Sequence, residues 1–153
     1  MDFAVQKAVE LGVGAVTPLI TERVVVQLKD DRREQKRAHW QRVAQSAAEQ
    51  CGRDRVPPVA DPVELGKWLP LREGLRLFLD PHAENTLRDI SPANDKRVVL
   101  LAGPEGGFSD RERSMAVCAG FCPVRLGPRI LRAETAALAA LAAMQTLWGD
   151  FGG

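Results

Sequence analysis

A glycine-rich loop follows a buried apolar run in the last third of the chain. The run VVLL (98–101) leads into the loop GPEGGFS (103–109). A phosphate-binding P-loop needs a lysine after its glycines, and the dinucleotide fingerprint needs a second glycine two residues after the first. This loop matches neither pattern, and the carboxylate of Glu105 would repel a phosphate. The sequence therefore predicts a loop whose backbone approaches another kind of ligand closely, with Glu105 able to accept hydrogen bonds or face a cation.

A second loop of the same type occurs one strand and one helix later. The segment VRLGPRILRAETAAL (124–138) again runs from a strand through Gly-Pro into a helix. Glu134 lies in the first turn of that helix, where the helix dipole favours an acid. Two such loops at the carboxyl ends of neighbouring strands would form a crevice of the kind that binds ligands in α/β sheets. The alternative is that both are tight turns before capped helices.

Hydrophobic periodicity predicts the elements that position these loops. Ser109 and Glu112 form a capping box, so a helix begins directly after the glycine loop. Strands that alternate with helices, each strand a continuous apolar run, indicate an α/β domain with a mainly parallel sheet covered on both faces. The predicted helices are DFAVQKAVELGV (2–13, ended by Gly12), DDRREQKRAHWQRVAQSAAEQCG (30–52), VELGKWL (63–69), SDRERSMAVCAG (109–120) and AETAALAALAAMQTLWG (133–149). The predicted strands are GAVTPLIT (14–21), RVVVQL (23–28), LRLFLD (75–80), RVVLLAG (97–103) and CPVRLG (122–127), with VPPVADP (56–62) an edge strand at most and residues 81–96 a loop or weak helix.

Length and composition bound the class of protein. The 153 residues suffice for one domain, and no apolar run is long enough to cross a membrane. The N-terminus carries no export signal, so we expect a cytosolic protein whose three cysteines are free thiols. No Cys or His pair has metal spacing, which predicts no metal site. Residues 23–55 carry nine Lys or Arg against five Asp or Glu, which is typical either of a basic patch for phosphates or of a solvated helix face.

The last helix has an unusual composition for a monomer surface. Between Glu134 and Asp150 it carries no charged residue, and small or apolar side chains occur all round it. A helix at a monomer surface should have a polar face. Because a domain of this size buries a helix on all sides only with difficulty, the composition favours a dimer packed through this helix.

Five segments in this order resemble the 16S rRNA (uracil-N3) methyltransferases of the SPOUT superfamily. They are KAVELGV (7–13), VTPLITERVVV (16–26), AAEQCGRDRVP (47–57), LAGPEGGFSDRE (101–112) and LGPRILRAETAAL (126–138). The resemblance spans Lys7 to Gly149. It implies methyl transfer from S-adenosylmethionine to N3 of a uridine in small-subunit ribosomal RNA, by a homodimer joined through the last helix. It also implies an α/β fold with a C-terminal deep trefoil knot, a rare exception to the rule against threaded chains.

The resemblance assigns roles to individual residues. It implies a knotted cofactor pocket formed by Leu79, Gly103, Glu105, Gly106, Leu126, Gly127, Ile130, Leu131, Ala133 and, at its opening, Thr135. Removal of the uracil N3 proton needs a base, or a cation that favours the anion. We assign the cation to Arg132 or Arg23 and the proton relay to Glu134 or Glu105. Arg23, Arg53, Arg55 and Arg132 are the predicted RNA-binding residues.

One departure from the family concerns the N-terminus. Family members begin with a small PUA-like RNA-binding domain, whereas residues 1–153 correspond to the methyltransferase domain without it. The sequence therefore predicts cofactor binding and dimerisation, with weaker RNA affinity. Two alternatives stay open: a SPOUT enzyme that acts on another RNA position, and a non-catalytic RNA-binding or dimerisation module.

Overall fold

The computed structural model describes residues 1–23, 30–92, 97–104 and 106–152. Its helices are α1 (Asp2–Glu10), α2 (Asp30–Cys51), α3 (Leu65–Trp68), α4 (Asp110–Cys118) and α5 (Ala133–Trp148). Its strands are β1 (Leu19–Ile20), β2 (Val63–Glu64), β3 (Leu75–Leu79), β4 (Val98–Leu101) and β5 (Cys122–Val124). Short 3₁₀ turns occur at Leu69–Leu71, Leu87–Asp89 and Asp150–Gly152.

The strands pair in two parallel groups. Strands β4, β3 and β5 form a sheet with β3 in the middle, where Phe78 is in register with Leu101 of β4 and Pro123 of β5. Strands β1 and β2 pair separately, Leu19 with Val63. All of these pairs are parallel, which confirms the predicted mixed α/β class. The prediction names one mainly parallel sheet, whereas the parallel strands of the described residues form two separate groups.

Alternating side chains of β3 enter two different cores. Phe78 packs with Trp68, Leu101 and Phe121 on the face covered by α3 and α4. Leu77 points to the other face, where it packs with Val124 and with Met144 of α5. Since side chains alternate across a strand, this short apolar run covers both faces of the sheet.

A third core joins α1 to α2. Its members are Val5, Val9, Trp40, Ala44, Ala47, Ala48 and Val59. The helix predicted over residues 30–52 is thus confirmed, and Val43 packs against this core from its partly buried edge. Gly12 and Gly52 follow α1 and α2 with φ of +89° and +80°, the left-handed region that favours glycine at helix ends.

Two local predictions differ from the structure, and a third lies largely outside the described residues. The segment GAVTPLIT forms β1 over two residues and a single bridge from Val16 to Val59, because Pro18 lacks the N–H that a longer ladder needs. In VELGKWL, Val63 and Glu64 pair with β1, and the helix begins only at Leu65. Most of the predicted strand RVVVQL lies outside the described residues.

Candidate active site

A cleft of about 340 Å³ opens where β3, β4 and β5 end. The glycine loop after β4 forms one side of it, and the loop after β5 forms the other. The sheet contributes Leu79 and Val124 to its floor. α/β folds bind ligands at the carboxyl ends of parallel strands. The geometry therefore favours a shared ligand-binding crevice over the alternative that both loops are only tight turns before capped helices. The lining residues are Leu79, Asp80, Pro81, Ala102, Gly103, Pro104, Gly107, Phe108, Arg113, Val124, Leu126, Arg129, Ile130, Leu131, Arg132, Ala133 and Ala136.

Close packing shapes the glycine loop. A Cβ atom on Gly103 would lie 3.1 Å from the Phe108 ring, so any larger residue here would require the ring or the loop to shift by a few tenths of an ångström. Phe108 is buried and meets Phe78 edge to face, with ring centroids 6.4 Å apart. Gly107 closes the turn with φ of +73°, and its N–H donates to the Pro104 carbonyl at 2.8 Å. The capping box then starts α4: the Glu112 N–H donates to Ser109 Oγ at 3.2 Å, and the Ser109 N–H donates to Glu112 Oε1 at 2.9 Å.

The loop after β5 supplies an exposed apolar residue between basic ones. Ile130 is 79% exposed, the highest value among the exposed large apolar side chains of the described chain. Arg129 and Arg132 flank it, are also exposed and line the same cleft. Helix α5 begins at Ala133, and the Ala136 N–H donates to the Arg132 carbonyl at 2.8 Å. This side of the cleft therefore carries positive charge at its opening.

An acidic and a positively charged side chain face each other inside the cleft. Asp80, which follows β3 directly, lies 3.8 Å from Arg113 Nη1 through its Oδ2 atom. Its Oδ1 atom accepts the His82 N–H at 2.9 Å. The Asp80 side chain is 14% exposed and that of Arg113 35%, so the pair is only partly screened by solvent.

The structure distributes the predicted cofactor residues as follows. Leu79, Gly103, Leu126, Ile130, Leu131 and Ala133 line the cleft. Gly106, Gly127 and Thr135 are not among its lining residues, although each adjoins one, and Glu105 lies outside the described residues. Asp80, Phe108 and Arg113 had no predicted role. Asp80 could have been found by applying to β3 the carboxyl-end rule that was applied to β4 and β5.

The predicted RNA-binding and catalytic side chains lie in different settings. Arg132 lines the cleft, whereas Glu134, in the first turn of α5, does not. Arg23 reaches the glycine loop from outside, and its Nη1 donates to the Gly106 carbonyl at 2.6 Å. Arg53 donates from Nη1 to the carbonyls of Val9 and Val13 at 3.0 and 2.8 Å, so it ties the end of α2 to that of α1. Its part in RNA binding stays a prediction, as does that of the neighbouring Arg55.

The described residues contain neither a helix suited to span a membrane nor a cluster of metal-binding side chains. None of the helices within residues 1–23, 30–92, 97–104 and 106–152 has the length and apolar character to cross a bilayer. Over the same ranges, no three His, Cys, Asp or Glu side chains cluster in a way that could hold a metal ion.

Comparisons with known proteins extend over nearly the whole chain. Residues 1–145 match the RNA methyltransferase domain family. Among curated proteins, the ribosomal RNA small subunit methyltransferase E of Buchnera aphidicola subsp. Schizaphis graminum is 39% identical over 152 residues, which is 98% of this chain and 61% of the relative. The enzyme of the same name from Synechocystis is 38% identical over 149 residues, 94% of this chain and 48% of its own length.

Two solved structures have a fold very similar to that of this chain. A small subunit methyltransferase E from Neisseria gonorrhoeae, bound to S-adenosylmethionine, has a TM-score of 0.91 and 45% identity, over 99% of this chain and 62% of its own. A putative methyltransferase from Legionella pneumophila, also with the bound cofactor, has a TM-score of 0.91 and 42% identity, over 96% and 61%. The chain thus spans about three fifths of these structures and of the first relative. With a family match over residues 1–145, the chain belongs to the RNA methyltransferase domain family.

Proposed function

We propose that this chain transfers the methyl group of S-adenosylmethionine to N3 of a uridine in small-subunit ribosomal RNA. The cleft at the ends of β3, β4 and β5 carries the proposal, because the two loops that begin with Gly-Pro both line it. Relatives named ribosomal RNA small subunit methyltransferase E support the substrate, and two similar structures with bound S-adenosylmethionine support the cofactor.

The cleft fits such a cofactor in size and in chemistry. Its volume of about 340 Å³ lies within the range of small-molecule sites. Leu79, Leu126 and Leu131 offer apolar walls for a base, and the glycine loop brings backbone carbonyls and N–H groups to the surface. When bound, S-adenosylmethionine supplies a methyl group activated by a positively charged sulfur.

The charges of the chain suit a displacement at that sulfur. The positive charge on sulfur disperses in the transition state, so an unpaired anion beside it would favour the ground state. Asp80 is the acid among the described lining residues, and Arg113 and the His82 N–H compensate its charge. The walls can therefore align the reactants without holding the sulfonium too strongly.

Basic residues at the opening would handle the RNA. We assign to Arg132 the stabilisation of the uracil anion, because it lines the cleft and is exposed. Arg23, behind the glycine loop, is the second candidate. Glu134 or Glu105 remains the proposed relay for the N3 proton. A uridine in folded RNA must also turn outward to enter a cleft of this depth.

Titration calorimetry and methylation mapping test the activity. We expect the wild-type chain to bind S-adenosylmethionine and to yield N3-methyluridine in 16S rRNA, detected by nuclease digestion and mass spectrometry. Arg132→Ala should reduce the methylation rate by about tenfold or more while cofactor affinity is retained, and Lys67→Ala, an exposed change on α3, should alter neither. Methylation at another position would favour a different RNA target. RNA binding without cofactor affinity would favour a non-catalytic module.

We also propose that the segment from β3 to α5 forms a deep trefoil knot. Supporting this, the loops after β4 and β5 line one cleft, and α5 returns to the sheet face that contains Leu77 and Val124. An experimental structure with continuous density from Leu75 to Trp148 tests the threading. A trace that can be pulled straight from its ends would overturn it.

Dimerisation through α5 is the third part of the proposal. Within α5, all of which the structure describes, Ala140 is the one buried residue. One face of α5 packs against the sheet through Ala143, Met144 and Trp148. The exposed residues of the helix include Thr135, Ala139 and Thr146. An uncharged helix face left open by its own chain is typical of a subunit interface.

Sedimentation velocity tests the dimer. The wild type should sediment at twice the chain mass of 16.7 kDa, and Ala139→Glu and Leu141→Glu should release monomers. Ala139 is the cleaner position, because it is exposed and Leu141 is half-buried. Val117→Glu, on the exposed face of α4, is the matched control and should leave the mass unchanged. A monomeric wild type, or a dimeric Ala139→Glu variant, would overturn the assignment.

A further inference from the structure

Glu112 makes more contacts than its place in a capping box requires. The residue is 3% exposed. Its Oε1 atom accepts the Ser109 N–H at 2.9 Å, which completes the capping box of α4. Its Oε2 atom accepts the Glu22 N–H at 3.2 Å, from a residue 90 positions earlier. The capping box uses one oxygen, so the second contact holds a distant segment to the start of α4.

The segment that Glu112 holds is Thr21–Arg23, which follows β1. Besides the Glu22 N–H, it contacts the glycine loop and α4 through two side chains. Arg23 Nη1 donates to the Gly106 carbonyl at 2.6 Å, and Glu22 Oε1 lies 3.5 Å from Arg111 Nη1. The stem of Arg23 follows the loop, since a Cβ on Gly106 would lie 3.6 Å from its Cβ and Cδ atoms.

These three contacts differ in strength. The Arg111–Glu22 pair is exposed, 79% and 46%, so solvent screens it. The Arg23 guanidinium is exposed as well. The Glu112 carboxyl group is buried, so solvent weakens its hydrogen bond to the Glu22 N–H less than it weakens the two exposed contacts. Glu112 is therefore the main anchor of Thr21–Arg23.

The anchored segment carries a cation next to the cleft. Gly107, which lines the cleft, follows the residue whose carbonyl Arg23 binds. A guanidinium has five N–H donors, and the Gly106 carbonyl takes one of them. Arg23 can thus hold the loop and still present donors to an anionic oxygen outside it.

We propose that Glu112 is a positioning residue, which fixes Arg23 against the glycine loop so that its guanidinium meets the RNA substrate. The inference rests on the proposed RNA methyltransferase function and adds to it a residue that the RNA does not touch. Glu112 would then have two functions: it caps the start of α4, and it places the Arg23 guanidinium.

Two variants separate the placement of Arg23 from helix capping. Glu112→Gln keeps one amide oxygen for the Ser109 N–H, but turns an NH₂ group toward the Glu22 N–H, so Thr21–Arg23 should detach. Ser109→Ala removes the other half of the capping box and leaves both oxygens of Glu112 in place. A purely structural role predicts that both variants lose stability and that neither changes RNA recognition beyond that loss.

The kinetic test uses the complete chain with 16S rRNA. Glu112→Gln should lower kcat/KM for RNA by about tenfold, with cofactor affinity changed by less than about threefold. Arg23→Ala should produce a similar loss, and the double variant should be no worse than Arg23→Ala, because the two residues act through one contact. Ser109→Ala should lower the melting temperature and reduce kcat/KM for RNA much less than Glu112→Gln does. Additive losses in the double variant, or equal RNA kinetics in Glu112→Gln and Ser109→Ala, would overturn the proposal.

Hydrogen exchange tests the anchor without RNA or cofactor. The Glu22 amide should exchange faster in Glu112→Gln than in the wild type, and at the wild-type rate in Ser109→Ala. If Glu112→Gln does not fold, Glu112→Asp, which keeps the charge but is one methylene shorter, replaces it in both experiments. Unchanged exchange would remove the anchor. Failure of the wild type to bind S-adenosylmethionine would instead remove the proposed function.

Discussion

Replacing Gly103 with alanine tests whether close packing shapes the cleft. The new Cβ would lie 3.1, 3.3 and 3.4 Å from three carbons of the Phe108 ring, whereas carbon atoms prefer about 3.5–4.0 Å. The ring cannot move away easily, because it is buried and packs against Phe78. Either the ring or the glycine loop must therefore shift by a few tenths of an ångström, and both line the cleft.

Two opposed effects determine how much Gly103→Ala changes the free energy of unfolding. Overpacking a core costs about 1–3 kcal/mol, and a Gly→Ala change returns about 0.4–1 kcal/mol by restricting the unfolded chain. We expect a net loss of about 1–2 kcal/mol in the free energy of unfolding, which lowers the melting temperature of a chain of this length by about 2–8 °C. Affinity for S-adenosylmethionine should fall by about tenfold, because the displaced group forms the cleft wall.

Calorimetric melting and ligand titration measure the two effects. Gly14→Ala is the matched control, since nothing lies within 4 Å of its added Cβ and its φ is not positive. Phe108→Leu, with a smaller side chain, should restore part of the cofactor affinity when combined with Gly103→Ala. If Gly103→Ala matched Gly14→Ala in both stability and affinity, the close contact with Phe108 would not be shaping the site.

Three further predictions concern charges. Asp80→Asn leaves the positive charge of Arg113 uncompensated, so the affinity for S-adenosylmethionine should fall about fivefold relative to that for S-adenosylhomocysteine, whose sulfur is uncharged. Arg113→Met should change this ratio in the opposite direction. Equal effects on the two ligands would contradict the prediction. Arg53→Met should cost about 1–3 kcal/mol in urea unfolding, because two carbonyls at the end of α1 lose their donor; an unchanged midpoint would refute it. The hydrogen bond from His39 lowers the pKa of Asp2 below its usual 3.8, so Asp2 stabilises the folded chain above that pH and less as the pH falls through the lowered pKa. Asp2→Asn should therefore reduce the free energy of unfolding near neutral pH and converge with the wild type in strong acid, and a constant difference would count against the contact.

Local signals in the sequence predict much of this fold. Gly12 and Gly52 mark helix ends, and Ser109 with Glu112 marks the start of α4, because each acts within one turn of chain. The strand β3 is equally clear, since its apolar run meets a proline just beyond its end. The two Gly-Pro loops also predict the cleft, because parallel strands place their following loops at one edge.

Contacts between distant segments could not be predicted in this way. Strand β2 exists through pairing of Val63 with Leu19, 44 positions earlier, and a two-residue strand has no period of its own. Likewise nothing local distinguishes Arg53, which donates to the carbonyls of Val9 and Val13, from Arg55, which is exposed. Side-chain direction decides such roles, and it follows from the tertiary packing.

The arrangement of charge indicates how one small domain could sort two unlike substrates. Inside the cleft, Asp80 and Arg113 compensate each other among apolar walls, so a phosphate gains little by entering and a ligand with a dispersed positive charge is tolerated. At the opening, Arg129 and Arg132 are exposed, and we expect their positive charges to attract an RNA backbone. Arg23 adds a third cation behind the glycine loop, at a position that Glu112 sets. The glycine loop lies between the cleft and Arg23, so we expect the cofactor to approach its backbone from the cleft and the RNA to approach it from the side of Arg23.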